Sequence, residues 1–194
     1  MTYGDLKKRI YTLLDIDIRE ENTVGSSASL IKDALVQTVN DVARKTAFAL
    51  KAIYKTADLY FERDDVGVSA LLPSDVAIVR EICRGTRRYG AISFERAGNT
   101  LYFFGAKEGF YTVGYYAFPR PLGVSLPDTA SLTEMSDAVW ETVAYGVCAA
   151  LCMKVYPADM KRYMRLATDF DERITAYAPT APVSAVRDTV FSSK

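Results

Sequence analysis

Apolar residues recur along this chain with two different periods, and the change of period divides it. Near the start, Leu6, Ile10, Leu13 and Leu14 follow the i, i+4, i+7, i+8 spacing of one buried stripe, which predicts a first helix over about 3–15. A polar stretch over 16–28 ends in Gly25-Ser26-Ser27. One of Ser26, Ser27 or Ser29 then supplies the capping hydroxyl of a second helix over about 29–53. Its stripe, Ile31, Leu35, Thr38, Val42, Thr46, Ala49 and Ile53, alternates steps of four and three, as along a neighbouring helix. Beyond it the period falls to two. Ala57–Phe61 reads as a strand, Leu71-Leu72-Pro73-Ser74-Asp75 as a strand end with a turn, and Ile78–Arg84 as a strand with Val79 and Cys83 inward. Ile92 and Phe94 alternate with Ser93 and Glu95, Ala97-Gly98-Asn99 turns the chain, and Thr100–Phe104 returns as the second arm of a hairpin. Tyr111, Val113 and Tyr115 alternate with Thr112, Gly114 and Tyr116, so the strands fall between 57 and 117 and end before Pro119, Pro121 and Pro127.

The helical period then resumes. Ser136 is placed to cap a third helix over about 137–156, with Asp137 complementing the helix dipole. Trp140, Ala144, Val147 and Leu151 form one row and Val139, Val143 and Cys148 lie beside it, so this helix is apolar around most of its girth and is predicted to be central. Pro157 is expected to open a fourth helix over about 157–177 at its first position. There Met160, Tyr163, Ala167, Phe170, Ile174 and Tyr177 make the apolar stripe, and Pro179 and Pro182 stop it. The fold class expected is α+β: a four-helix bundle with a short antiparallel sheet or hairpin inserted between helices 2 and 3, followed by an extended C-terminal arm. A single domain is expected over 1–178 and the arm over 179–194. The arm is apolar for a tail, with Val183, Val186, Val190 and Phe191 at helical spacing. It either folds on its own domain or docks on another chain and orders there, and docking is the preferred reading.

Composition narrows the chemistry. The 194 residues carry 24 Lys+Arg against 24 Asp+Glu and no histidine. A neutral chain is not expected to be coated with nucleic acid. Lacking histidine, it has no Ser-His-Asp triad, Cys-His pair, HExxH helix or His-bound metal. The glycines fit neither GxxxxGK[ST] nor GxGxxG, so no phosphate cradle is legible. No run is expected to cross a membrane, and the first twenty residues do not read as a signal peptide. Three cysteines make no disulfide framework. Cys148 and Cys152, one helical turn apart, are expected as buried thiols, which points to synthesis in a reducing cytosol. Two acidic groups stand out, Asp15, Asp17, Glu20 and Glu21, then Glu62, Asp64 and Asp65; a magnesium-dependent enzyme would use Asp15 and Asp17 of the first, or the second. A calcium-binding EF-hand loop fails at Glu20, where glycine is needed, and solvated loops are the preferred reading of both. No enzyme activity, cofactor or metal is expected. One basic cluster stands out: Arg80, Arg84, Arg87 and Arg88 with Tyr89. It reads either as a solvated loop paired with acidic neighbours, or as a DNA or subunit contact through Arg84, Arg87, Arg88 and Tyr89.

The order of these elements resembles a known family. Leu72-Pro73-Ser74-Asp75, the hairpin Ile92-Ser93-Phe94-Glu95-Arg96-Ala97-Gly98, Leu126-Pro127, Trp140 with the small apolar helix after it, and Tyr156-Pro157 together are similar to the head-to-tail adaptor (connector) proteins of tailed bacteriophages. The likeness is to the tail tubular protein A type and covers about residues 3–178. It implies a structural virion protein at the head–tail interface, made in the host bacterial cytoplasm and without catalysis. Such a protein forms a dodecameric ring with itself beneath the portal protein, joins the portal to a downstream tail or nozzle protein, and leaves a channel through which double-stranded DNA passes at genome ejection, with no membrane partner. On that resemblance the arm residues Pro182, Val183, Val186, Arg187, Val190 and Phe191 would bind the portal. The alternative reading is a nucleic-acid-binding module using the Arg84, Arg87 and Arg88 loop.

Overall fold

A computed structural model of the chain describes residues 1–65, 67–89 and 94–177. They form two compact units: a helical unit made of residues 1–54 and 116–177, and a sheet unit made of residues 55–115.

The helical unit contains α1 (Tyr3–Leu14), a short 3-10 turn (Ile18–Glu20), α2 (Ser27–Leu50), α3 (Asp137–Val155) and α4 (Met160–Tyr177). Its boundaries follow from capping. Thr2 and Asp5 close a reciprocal capping box on α1, which ends at Asp15 in the left-handed region. Ser26 accepts from the Ser29 backbone N–H at 3.1 Å and starts α2. Lys51, at φ 51°, stops α2 at Leu50, so Ile53 lies past the helix although it is buried. The buried face of α2 is also wider than the stripe expected from sequence. Val39, Ala43, Ala47 and Leu50 join Ile31, Leu35, Val42 and Thr46, while Ala49 is exposed. Ser136 occupies the N-cap of α3 without a side-chain capping bond. Pro157 does not open α4: the chain turns through 156–159, and Asp159 Oδ1 accepts the Arg162 backbone N–H at 3.0 Å, so the helix starts at Met160.

α3 is the hub of this unit. It packs against α1, α2 and α4, whereas α2 meets α4 only lightly. Trp140, Val143, Ala144, Val147, Cys148 and Leu151 are all buried along it. By length and composition alone α3 could cross a membrane, contrary to the expectation that no run could; in this unit more than half of it is buried among its neighbours. The close packing turns on Gly146. A side-chain carbon there would meet Val42 Cγ1 and Phe170 Cε2, both at 2.7 Å. α4 is a shallower element than its sequence stripe implies: Leu166, outside that stripe, is its buried residue, while Met160 and Tyr177 at the stripe's ends are 52% and 49% exposed. Arg162 and Tyr156 tie it down, since the Arg162 Nη1 and the Tyr156 hydroxyl both donate to the Leu14 carbonyl, at 3.1 and 3.0 Å.

The sheet unit overturns the expected short hairpin. Seven strands, β1 (Tyr54–Arg63), β2 (Val68–Leu71), β3 (Val76–Arg84), β4 (Arg87–Tyr89), β5 (Phe94–Ala97), β6 (Thr100–Phe103) and β7 (Gly109–Ala117), form one curled antiparallel sheet in the order β4-β3-β7-β1-β2-β6-β5. The described residues are therefore α+β with four α-helices and a full sheet, not a four-helix bundle carrying a hairpin. The physical reason is strand length. β1 continues to Arg63 because Thr56, Asp58, Tyr60 and Glu62 alternate outward against Ala57, Leu59 and Phe61. β2 and β4 are too short to show a period of their own. In β3 the inward residues are Val76 and Ile82; Val79 and Cys83, expected inward, lie on the opposite phase and are half-buried. The hairpin of β5 and β6 is present, pairing Phe94 with Phe103 and Ala97 with Thr100. Its turn clasps the earlier one: the Leu72 N–H donates to the Asn99 carbonyl and the Asn99 amide donates to the Leu72 carbonyl, both at 2.9 Å. Asp75 of that earlier turn receives Lys55 Nζ at 2.7 Å.

Gly146→Ala is expected to destabilise the protein by about 1–2 kcal/mol, because overpacking between Val42 and Phe170 outweighs the gain in helix propensity. Urea unfolding measures this. An unchanged or raised midpoint would show that α2 and α4 can move apart freely.

Candidate interaction surface

The alternation of the strands gives the sheet two faces of different chemistry. The inner face holds an aromatic cluster. Phe61, Phe103 and Tyr111 meet edge to face with ring centroids 5.3–6.0 Å apart, and Tyr89 stands over Phe103 at 4.9 Å. Such pairs add to simple burial because ring edges and faces carry opposite partial charge.

The arginine cluster is built on this core. The Gly85-Thr86 turn, with Gly85 at φ 58°, joins β3 to β4 and sets Arg84 opposite Arg87, Cys83 opposite Arg88 and Ile82 opposite Tyr89. Residues paired across an antiparallel ladder share a face. Arg84, Arg87 and Tyr89 therefore point to the inner face and Arg88 to the outer one. Arg84 lies 5.1 Å from the Tyr111 ring centre and donates to its hydroxyl at 3.2 Å. That hydroxyl donates in turn to the Lys107 carbonyl at 2.7 Å. Arg87 stacks on Tyr89 at 5.0 Å. Among the described residues Arg88 reaches Glu81, at 3.9 Å, and is 79% exposed. Arg80 shares the strand phase of Arg84. The four side chains named as a DNA or subunit contact are thus gathered on one hairpin but split between its faces, and two of the three guanidinium groups are stacked on rings of their own unit.

The outer face carries a feature that sequence reading missed. Tyr60 of β1 and Phe110 of β7 pack edge to face at 5.0 Å although they are 44% and 68% exposed. The Tyr60 hydroxyl donates to Glu108 Oε1 at 2.7 Å, which holds the phenol above its ordinary pKa. Beside them the Thr112 hydroxyl donates to Asp58 at 2.6 Å. With Asp58, Glu62 and Glu108 around the two rings, this face is aromatic and acidic. The alternation of Tyr60 with Phe61 and of Phe110 with Tyr111 was the available signal.

The acidic groups weighed as metal sites are engaged locally. Asp17 pairs bidentately with Arg19, and Glu21 receives the Tyr11 hydroxyl at 2.8 Å and faces Lys7 Nζ at 3.4 Å. Asp64 accepts the Gly67 N–H at 2.9 Å. Among the described residues no group of three or more acidic or cysteine side chains is placed to hold a metal ion. Cys148 and Cys152 are fully buried and Cys83 half-buried, all as free thiols. Burial pushes the Cys148 thiol up, out of the range of a reactive thiolate. Two open grooves, of about 330 and 450 Å³, run along α4. The arm residues Pro182, Val183, Val186, Arg187, Val190 and Phe191 lie outside the described residues. No protein-family model matches the chain, and no curated protein matches it either.

Two outcomes follow from this geometry. Arg84→Ala is expected to lower stability by about 1 kcal/mol, losing the ring contact and the Tyr111 hydrogen bond, while Arg88→Ala stays within about 0.5 kcal/mol of wild type. Equal effects in urea unfolding would contradict the split of the cluster. Burial and the Glu21 hydrogen bond raise the Tyr11 pKa above its ordinary 10.0. Above that value the unfolded chain loses a proton that the folded chain keeps, so stability present at neutral pH falls as pH rises past it. Tyr11→Phe is expected to flatten that alkaline fall; an identical pH profile in the variant would show that Tyr11 is not its source.

Proposed function

We propose that this chain is a structural virion protein, the head-to-tail adaptor of a tailed bacteriophage, forming a ring that joins the portal vertex to the tail around a DNA channel. The observation that carries this reading is the exposed Tyr60–Phe110 pair on the outer face of the sheet, held in place by Glu108. Rigid aromatic side chains presented at a surface are what subunit contacts use, because they bury much area while losing little rotamer freedom. The acidic rim of Asp58, Glu62 and Glu108 suits a basic protein surface and is unfavourable beside DNA phosphates. The order of elements agrees with the family resemblance, with two helices, an inserted sheet and two further helices. On this reading the ring contact is heterologous, so each subunit presents the Tyr60–Phe110 surface to a different surface of its neighbour. Residues 179–194 are assigned to the portal. Arg84 and Arg87 serve the sheet, and Arg88 is left as a solvated charge.

The test is assembly on the cognate portal ring. Tyr60→Ser with Phe110→Ser is expected to leave the circular dichroism spectrum of the free chain unchanged, to lower its melting temperature by only a few degrees through loss of the ring pair, and to reduce the number of copies bound per portal by about tenfold or more, a hot-spot effect. Full occupancy by the double variant, or no binding by the wild-type chain, would overturn the assignment.

A further inference from the structure

The outward face of α4 carries an ordered charge pattern that nothing among the described residues uses. Exposed positions recur at 160/161, 164/165, 168, 171/172 and 175/176, the period of one continuous helix face. The N-terminal half is basic and apolar: Lys161 and Arg165 flank Met160 and Met164, which are 52% and 60% exposed. The C-terminal half is acidic and small, with Asp171 and Glu172 followed by Thr175 and Ala176. Thr168 sits between the halves. Lys161, Arg165, Asp171 and Glu172 form no ion pair among the described residues. Both open grooves lie on this helix, one beside Lys161 and Arg165 and the other beside Asp171 and Glu172.

We propose that this face is a two-fold interface with a second copy of the chain, α4 against α4 and antiparallel about Thr168. The face is complementary to itself in that orientation alone. Turned antiparallel about Thr168, Arg165 of one copy lies level with Asp171 of the other, and Lys161, level with Thr175, reaches less than one turn along the partner helix to Glu172, twice over by symmetry. A parallel pair would set like charge against like. The small side chains Thr168, Thr175 and Ala176 let the helices approach, and the exposed methionines fill the space above them. The antiparallel arrangement also opposes the two helix dipoles favourably. This inference rests on α4 and is independent of the adaptor reading: an isologous pair of free chains and a heterologous ring use different surfaces.

Sedimentation velocity of the full chain at low salt tests it. The wild-type chain is expected to dimerise. Lys161→Glu with Arg165→Glu makes the face wholly acidic, and Asp171→Lys with Glu172→Lys makes it wholly basic; each variant alone is expected to weaken self-association by about tenfold or more. An equal mixture of the two variants is expected to pair again, which also shows that both are folded. The single reversals Arg165→Glu and Asp171→Arg read the same way with half the charge change. A wild-type chain that stays monomeric, a reversed variant that pairs with itself as before, or a mixture that does not pair overturns the proposal.

Discussion

The helical unit depends on a residue with no side chain. At Gly146 the α3 backbone comes close enough to Val42 of α2 and Phe170 of α4 that a single added carbon would sit 2.7 Å from each. Close packing of that kind leaves the interior little room to yield. It makes α3 the axis on which α1, α2 and α4 rest. It also explains why α4 can be both fixed and shallow. Phe170 lies against Gly146 and Leu166 is buried, while the N-terminal end is held through Arg162 and Tyr156 to the last carbonyls of α1. The rest of the helix is free to present an outward face.

The sheet unit solves a different problem. A curled sheet needs filling on its inner side, and here aromatic rings do so, with Phe61, Phe103, Tyr111 and Tyr89 in mutual contact. Arg84 and Arg87 are then drawn onto the rings, where their charge gains a favourable π face and Arg84 a hydrogen bond as well. An arginine-rich loop thereby becomes part of the architecture. On the other side the same alternation leaves Tyr60 and Phe110 outward among carboxylates. The inner face thus holds the unit together, and the outer face is the one proposed to meet a partner.

Much of this was legible in the sequence where a period ran long enough to be unambiguous. The central place of α3 followed from its apolar girth, and the alternation of Tyr111, Val113 and Tyr115 marked the inward side of β7. The extent of the sheet was not legible, because β2 and β4 are shorter than any window in which alternation can be read. β3 misled because it carries apolar residues on both phases, Val76, Ile78 and Ile82 on one and Ala77, Val79 and Cys83 on the other. Helix ends slipped where a non-glycine residue did the work: Lys51 in the left-handed region ends α2, and an Asp159 cap rather than Pro157 starts α4. The split of the arginines follows from the two-residue turn at Gly85-Thr86, which fixes the register and so sends Arg88 to the face opposite Arg84. The role of Gly146 depends on Val42 and Phe170, which only the folded chain brings to it.

On the proposed reading this protein works by contact, through fixed aromatic groups on the sheet unit and a patterned helix face on the helical unit. As a head-to-tail adaptor it would be a stoichiometric component of the virion, present in fixed proportion to the portal. Quantitative mass spectrometry of virions purified from the source of the chain measures that proportion directly. The account predicts about one copy of this chain per portal subunit, as a cyclic ring matched to the portal requires. Absence of the chain from virions that contain the portal would contradict it.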